Sequence, residues 1–411
     1  MKLAWAALAG VLASSCGDAS EPVEPVAVRY LRDRAFRRDE LVSSLTTRDN
    51  DYARLRLARY ETGDARDWAL LPAWNPPVSP VRESNLTGPA TDLRALTLSP
   101  AATAGDLSAL RELGESAFWR YPAMLVSPSA EPTLTTRAAF DRYGLKLAEE
   151  GRPGGDLVRV AFADGSAGLA YTCAACHSVR NSGGVIVAGL ANARFDLGAL
   201  SAASNDTIDP AVVTRLRAWA PGRVDVTTDD GREPVAIPDL RPLRFQAYLQ
   251  RAGAVRQRSL ATLAVRIETL LITSHHEAVR PPREVALGLA LYLYSLGDAL
   301  ASRPVASGRG AEVFAATCAR CHALPTYAGG IVAAEVVGTD PALARSATRG
   351  TGGYRVSSLR GVGERVRLMH DASIAGLDSL LDRARASGGH PFGVDLGAQD
   401  REALKDYLRS L

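Results

Sequence analysis

The sequence predicts a mainly α-helical protein of two similar domains with long loops, preceded by an N-terminal extension. Two observations carry this prediction: a Cys-x-x-Cys-His motif occurs twice, and the helical pattern Tyr292-Leu-Tyr-Ser-Leu296 is echoed by Tyr407-Leu-Arg-Ser-Leu411. The alternative for the echo is a chance match between common helix formers. A chain of 411 residues is long enough for two or three domains. Its net charge of +3 is too small to indicate a nucleic-acid partner.

The first fifteen residues predict an export signal, because a positive start precedes a short apolar stretch and small residues. Leu12-Ala13-Ser14-Ser15 before Cys16 resembles a bacterial lipoprotein processing site, in which Cys16 becomes the lipidated N-terminus. The alternative is an ordinary signal peptide (residues 1–15) beside a stray cysteine. We expect an exported, periplasmic protein held at the outer membrane through the lipid alone, with residues 16–28 as a mobile tether.

Four of the five cysteines form the two motifs, Cys173-Ala-Ala-Cys176-His177 and Cys318-Ala-Arg-Cys321-His322. This pattern is the attachment sequence of haem c. Its two thiols add to the haem vinyl groups, and the adjacent histidine becomes the proximal ligand of the iron. A redox disulfide would leave two following histidines as coincidences, and a zinc site would leave them unexplained. The sequence therefore predicts two covalently bound haems.

The two motifs divide the chain into a first haem c domain, residues 105–305, and a second, residues 306–411. Gly310-Ala-Glu-Val-Phe314 is spaced like the helix that precedes the haem in small c-type cytochromes, and Asp400 is the expected N-cap of the last helix. We therefore expect two cytochrome c-like domains. Residues 29–104 predict a helical extension without a chemical motif, which either docks a partner or packs on the haem domains.

The upper position of each iron decides its chemistry, because a side chain there favours electron transfer and an open position can bind peroxide or oxygen. For the second haem, the candidates are Met369, His370 and His390. For the first haem, they are Met124, the pair His275–His276, or no side chain. An open first haem is the more economical interpretation, and the alternative is a pair of closed irons that only carry electrons.

Roughly residues 105–411 resemble the bacterial di-haem cytochrome c peroxidase and MauG superfamily, and the separation of the two haem motifs is similar to the family's. The resemblance rests on several weaker motifs around the two strong ones. These are Leu113-Gly114 with Phe118, Gly189-Leu-Ala-Asn192-Ala193, Trp219-Ala-Pro-Gly222-Arg223, Val265–Thr273, Tyr354–Arg360 and His370-Asp371-Ala-Ser373.

The resemblance implies roles for several residues. Trp219 would be the bridge between the haems, and Asn192 would help to hold one calcium ion between the domains. His390 is favoured over Met369 as the upper ligand of the second haem, and His370 would be a hydrogen-bonding residue.

The resemblance also bears on the first haem. Asp239, or its neighbour Glu233, would shuttle a proton above the first iron. Family peroxidases often carry a histidine shortly after the first motif. Residues Ser178 to Asn192 contain none, which favours a first haem that is already open.

The function expected from these residues is a peroxidase-like oxidoreductase. It would reduce peroxide at the first haem with electrons relayed from the second, which an external donor such as a small cytochrome or cupredoxin refills. One alternative is a MauG-like or rubber-oxygenase-like oxidase or oxygenase acting on an organic substrate. The other is a non-catalytic periplasmic electron-transfer cytochrome.

Overall fold

The computed structural model describes residues 23–88, 92–151, 154–203, 209–225, 232–385 and 389–411. The predicted signal peptide and Cys16 lie outside these residues. Helices hold 42% of the protein and strands in small sheets 12%. The predicted mainly α-helical class therefore fits in coarse outline, and the small sheets add to it.

The α-helices of the described residues are numbered in chain order. They are α1 Val23–Arg32, α2 Arg34–Ser44, α3 Asp51–Arg59, α4 Pro100–Ala104, α5 Leu107–Arg120, α6 Arg137–Arg142, α7 Cys173–His177, α8 Leu197–Ala203, α9 Pro210–Arg217, α10 Leu260–Ser274, α11 Arg283–Ser295, α12 Asp298–Ala301, α13 Arg309–Thr317, α14 Ala334–Val337, α15 Ala342–Arg345, α16 Gly376–Leu380 and α17 Ala398–Ser410.

The strands of the described residues are short. They are β1 Val78–Pro80, β2 Met124–Leu125, β3 Leu157–Ala161, β4 Ala167–Tyr171, β5 Ser178–Arg180, β6 Ile186–Ala188, β7 Arg223–Val224, β8 Val235–Ala236, β9 Tyr248–Leu249, β10 Val255–Arg256, β11 Ile331–Ala333 and β12 Gly353–Arg355. One four-stranded antiparallel sheet has the order β1-β3-β4-β2. The other strands pair as antiparallel ribbons, β5 with β6, β7 with β8, β9 with β10 and β11 with β12.

Helices α5 and α11 cross closely in the first predicted domain. A Cβ atom added at Gly114 would overlap the backbone carbonyl of Gly288, so the two glycines allow the helix backbones to touch. One turn further along α5, the ring of Phe118 packs against that of Tyr292, with ring centres 5.4 Å apart. A glycine crossing followed by an aromatic pair thus joins these helices.

Helices α13 and α17 repeat this arrangement in the second predicted domain. A Cβ at Gly310 would overlap the carbonyl of Ala403, and the rings of Phe314 and Tyr407 lie 5.1 Å apart. Each of the two helix pairs thus combines a glycine crossing with a contact between phenylalanine and tyrosine. The expected N-cap, Asp400, lies instead in the first turn of α17, whose N-cap is Gly397, and Asp400 forms an ion pair with Arg309.

The N-terminal extension is part of the main core. Helix α1 begins at Val23 and buries Val26 and Ala27, so the tether predicted over residues 16–28 is packed helix from Val23 onward. The hydroxyl groups of Tyr30 and Tyr60 both donate to the buried carboxylate of Glu268 on α10, each at 2.7 Å. Within the described residues, the extension therefore packs on the first predicted domain.

The extension also reaches the second predicted domain. The backbone N–H groups of Asp51 and Tyr52 donate to the carbonyls of Ala347 and Thr348, at 2.9 and 2.8 Å. The side chain of Asn50 donates to the carbonyl of Gly350 at 2.9 Å. Residues 50–52 thus connect the extension to residues 347–350, and we call this connection the brace.

One stretch of the described residues, Arg283–Ala301, is long and apolar enough to span a membrane by length and composition alone. Within it, 56% of the residues are buried inside the protein. Helix α11, which forms most of this stretch, packs against α5 and α10. These contacts are those of a core helix in a globular domain.

Candidate haem sites

The first motif is itself a short helix, α7, and its histidine is held by the backbone. Nδ1 of His177 lies 3.0 Å from the carbonyl oxygen of Pro238, which can only accept, so Nδ1 carries the proton and donates it. This leaves Nε2 free to bind a metal ion, the usual arrangement of a metal-ligating imidazole. Burial lowers the pKa of His177 to about 4. The ring is therefore neutral at pH 7, as a ligand must be.

The second motif, at the end of α13, has the same local geometry. Nδ1 of His322 donates to the carbonyl of Tyr327 at 3.1 Å. Burial also lowers the pKa of His322 to about 4. The two motif histidines thus present equivalent neutral rings, each oriented by a backbone carbonyl.

The cysteine thiols favour the haem interpretation over the two alternatives. Burial raises the pKa of Cys173 and Cys176 to about 12 and that of Cys318 to about 11, whereas redox-active pairs have lowered values. Cys173 packs against the core around α5 and α11, Cys176 against the apolar cluster that contains Trp219, and Cys318 against the core around α17. Among the described residues, no three His, Cys, Asp or Glu side chains are grouped as a metal site.

A cavity of about 590 Å³ lies beside the second motif. Cys318, Cys321 and His322 line it, as do Met369 and His390 from the chain downstream. Its volume is in the range of cofactor pockets, and much of its wall is apolar. The cavity therefore has the size and lining that a haem attached to these cysteines requires.

The rings of His322 and His390 face each other across this cavity, with centres 6.3 Å apart. A metal–imidazole bond is about 2 Å long, so two imidazoles on opposite sides of one metal ion have centres about 6 Å apart. Nδ1 of His390 is buried and has no hydrogen-bond partner among the described residues. The geometry therefore fits an iron held between His322 and His390.

The two other candidates for this position are arranged differently. Met369 lines the cavity, where its side chain packs near Gly389, and its backbone is left-handed like that of His390. The ring of His370 stacks on Tyr354 at 4.2 Å, and its carbonyl accepts a hydrogen bond from Ala236. Nδ1 of His370 is buried without a hydrogen-bond partner among the described residues, so the hydrogen-bonding role implied by the resemblance stays a prediction.

At the first motif, no histidine ring among the described residues faces His177 as His390 faces His322. Nε2 of His275 donates to the carbonyl of Pro122 at 2.9 Å, and its ring packs edge-on against Trp74. Its neighbour His276 is exposed. Met124 lies in β2 and packs against the same apolar cluster as Cys176. Of the candidate upper ligands, only Met124 thus shares a cluster with the first motif.

Trp219 is buried in the apolar cluster that also contacts Cys176. Gly198 packs against its side chain, where a Cβ atom would not fit. Ile237 belongs to the same cluster and also lines the cavity of the second motif. Trp219 therefore lies in the apolar layer that adjoins both sites.

Asp239, one of the two residues predicted to shuttle a proton above the first iron, lies close to the proximal histidine of the first motif. It follows Pro238, whose carbonyl accepts the hydrogen bond from Nδ1 of His177. Its buried carboxylate forms ion pairs with Arg241 at 2.8 Å and Arg365 at 3.5 Å. Asp239 is thus a counter-charge to two arginines, and it lines the cavity of the second motif.

Glu233, the other residue predicted as a proton shuttle, contacts the second predicted domain. Its carboxylate accepts a hydrogen bond from Thr348 at 2.7 Å and lies 4.0 Å from Arg349. Glu233 therefore joins the two predicted domains, and its role as a proton shuttle stays a prediction.

Asn192 holds the first motif in place. Its Nδ2 donates to the carbonyls of Gly144 and Ala175, at 2.8 and 2.9 Å, and its Oδ1 accepts from the N–H of Arg194. Both ends of the Asn192 amide thus connect residues around the first motif, and the calcium ion implied by the resemblance stays a prediction.

Sequence reasoning missed the residues that act through their backbone. Pro238 and Tyr327 orient the two histidines with carbonyl oxygens, which every residue type possesses. It also missed Arg251 and Arg355, which line the cavity from distant points in the chain. Their only signal is their arginine identity in a chain rich in arginine. No family model, curated protein or solved structure matches this chain.

Proposed function

We propose that this protein is a di-haem c-type cytochrome and a peroxidase-like oxidoreductase that reduces peroxide at the first site with electrons from the second. The observation that carries the proposal is the asymmetry between two similar motifs. His322 is faced by His390, whereas no histidine ring contacts His177 among the described residues. One closed and one open site suit an enzyme better than a simple electron carrier.

The chain's own residues would bind and orient the cofactors. Haem at each motif supplies single-electron chemistry, and peroxide binding where a coordination position is open. The carbonyls of Pro238 and Tyr327 fix the orientation of His177 and His322 and increase their basicity. Trp219, buried in the apolar cluster that contacts Cys176, would serve as the aromatic bridge for electrons.

The proposed location follows from the N-terminal segment. Haem c is attached outside the bacterial cytoplasm, which agrees with an export signal over residues 1–15. Lipidation at Cys16 would then hold the enzyme at the periplasmic face of the outer membrane. A small cytochrome or cupredoxin in the same compartment would serve as the electron donor.

Electron paramagnetic resonance and optical spectra of the purified, oxidised holoprotein test the proposal. We expect one high-spin and one low-spin ferric signal, with the high-spin signal changing on addition of peroxide. Steady-state consumption of peroxide with a reduced small cytochrome should follow. Two low-spin signals that ignore peroxide, before and after partial reduction, would make the protein an electron carrier. Turnover of O₂ and an organic substrate without peroxide consumption would favour the oxygenase.

A further inference from the structure

Two arginines, Arg251 and Arg355, lie on the wall of the second cavity. Within the described residues, neither forms an ion pair with a carboxylate. The side chain of Arg251 donates to the carbonyl of Ala236, at 2.9 and 3.2 Å. Arg355 donates to the carbonyl of Tyr248 at 2.8 Å, and its Nε is buried without a hydrogen-bond partner.

The surroundings of this pair are strongly positive. Arg365 lines the same cavity, and its nearest carboxylate, Asp239, is shared with Arg241. Burial and repulsion from Arg251 and Arg365 lower the pKa of Arg355 to about 9. Burial and repulsion from Arg365 likewise lower the pKa of Arg251 to about 10, against the attraction of the more distant carboxylates of Asp371 and Asp239. Unpaired charges in such a place are costly unless an anion compensates them.

The cavity that holds the surplus positive charge is the one beside Cys318, Cys321 and His322. A haem carries two carboxylates, and guanidinium groups bind carboxylates with strong, charge-assisted hydrogen bonds. We infer that Arg251 and Arg355 bind the carboxylates of the haem attached at Cys318 and Cys321 and raise its reduction potential. This inference rests on the proposed function. It adds a binding site for the acidic groups of the cofactor and a means of setting the direction of electron flow.

The sign of the effect follows from electrostatics. Reduction adds a negative charge to the haem, and a nearby cation stabilises the reduced form. Arg251 and Arg355 thus favour reduction of the second haem by the external donor. They lie far along the chain from the motif, so removing them leaves the thioether bonds and both histidines in place.

Potentiometric titration of the holoprotein, monitored by optical and paramagnetic resonance spectra, tests the inference. We expect Arg251→Gln and Arg355→Gln each to lower the midpoint potential of the second haem and to leave that of the first nearly unchanged. Arg56→Gln is the matched control, because Arg56 is also buried with a lowered pKa but contacts Tyr52 and Thr269 in the main core. It should leave both potentials unchanged.

Haem content separates failure of the inference from failure of the proposed function. If the wild-type chain carries no covalent haem at Cys318 and Cys321, the proposed function is wrong. If haem is attached and both glutamine variants keep the wild-type potential, only the inference falls. Should the glutamine variants not accumulate, Arg355→Lys replaces them. Its second-haem potential should be near that of the wild type at neutral pH and drop at alkaline pH as the lysine loses its charge, and a flat profile would overturn the inference.

Discussion

His390 faces His322 across the second cavity, with ring centres 6.3 Å apart, although the two residues lie in different segments of the chain. The backbone of His390 is left-handed, with φ +51°, and its N–H donates to the carbonyl of Val337. The loop thus holds the ring in one orientation toward His322. Two histidines on one iron would make the second site a closed, electron-transferring centre.

Replacing His390 with alanine should open the second site. We expect His390→Ala to convert the low-spin signal of the second haem to high-spin, because the facing imidazole is lost. Met369→Leu is the control, because Met369 lines the same cavity and is the alternative candidate for the upper ligand of the second haem. Spectra in which Met369→Leu causes the conversion and His390→Ala does not would assign the position to methionine.

Trp219→Phe should slow electron transfer between the two sites. Phenylalanine is harder to oxidise than tryptophan and fills most of the same space, so we expect a decrease of about tenfold, or about 1.4 kcal/mol in the barrier. Stopped-flow reoxidation of the reduced protein by peroxide measures this rate. Trp68→Phe is the control, because Trp68 is buried in the N-terminal extension. Equal rates in all three proteins would exclude Trp219 as the bridge.

Asp239→Asn should reduce stability and leave the initial reaction with peroxide unchanged. The substitution leaves Arg241 and Arg365 without their shared buried carboxylate, a loss that typically costs about 3 kcal/mol or more. Urea denaturation measures the change. Asp298→Asn, at an exposed pair with Arg244, should cost less than about 1 kcal/mol. A much slower peroxide reaction in Asp239→Asn would support its predicted role as a proton donor.

The glycine crossings should be intolerant of a single methyl group. Gly310→Ala forces its Cβ against the carbonyl of Ala403, and we expect a loss of about 1–3 kcal/mol in unfolding free energy. Gly114→Ala should act similarly at the crossing with Gly288. Gly88→Ala is the control, because nothing lies within 4 Å of its added Cβ. Thermal unfolding of the three variants measures the loss. Equal unfolding free energies for all three would contradict the packing argument.

Asp156 should make stability depend on pH. Burial raises the pKa of this carboxyl to about 6, despite its ion pair with Lys146, from about 3.9 in an unfolded chain. The folded state thus favours the protonated form, and this contribution is present below pH 4 and lost as the pH rises through 6. Relative to Asp156→Asn, the wild type should lose roughly 1–3 kcal/mol over that interval. Urea titrations of both proteins at several pH values measure the difference in unfolding free energy. If the two unfolding free energies change with pH in parallel, Asp156 does not make stability depend on pH.

The sequence could predict the features that depend on residues close together in the chain. The Cys-x-x-Cys-His motifs and the Gly-Phe pairs at 114/118 and 310/314 are local patterns, and the structure gives each copy an equivalent geometry. The position of Asp239 could not be predicted from its distance after Trp219. The hydrogen bond from Nδ1 of His177 to the carbonyl of Pro238 decides where Pro238 and Asp239 lie relative to the ring. Any residue type can accept such a bond with its backbone carbonyl, so the sequence does not reveal it.

The sequence left two alternatives for residues 29–104, docking of a partner or packing on the two predicted haem domains. In the structure they pack on both predicted domains, and Arg37 and Glu61 form a buried ion pair, so these charges are used inside the fold. Similarly, the Glu-Pro repeats near the N-terminus suggested a tether, whereas the apolar face of α1 buries Val26 and Tyr30. In both cases the structure depends on contacts with residues far away in the chain, which no short stretch of the sequence reveals.

The brace between residues 50–52 and 347–350 has a consequence for the timing of turnover. The probability of electron tunnelling decays exponentially with the gap to be crossed. The brace ties the N-terminal extension to the second predicted domain, and it would therefore suppress fluctuations in the distance between the two proposed haems. Each transfer event would then occur at nearly the same rate, and loosening Asn50 would broaden the distribution of rates without changing either redox centre.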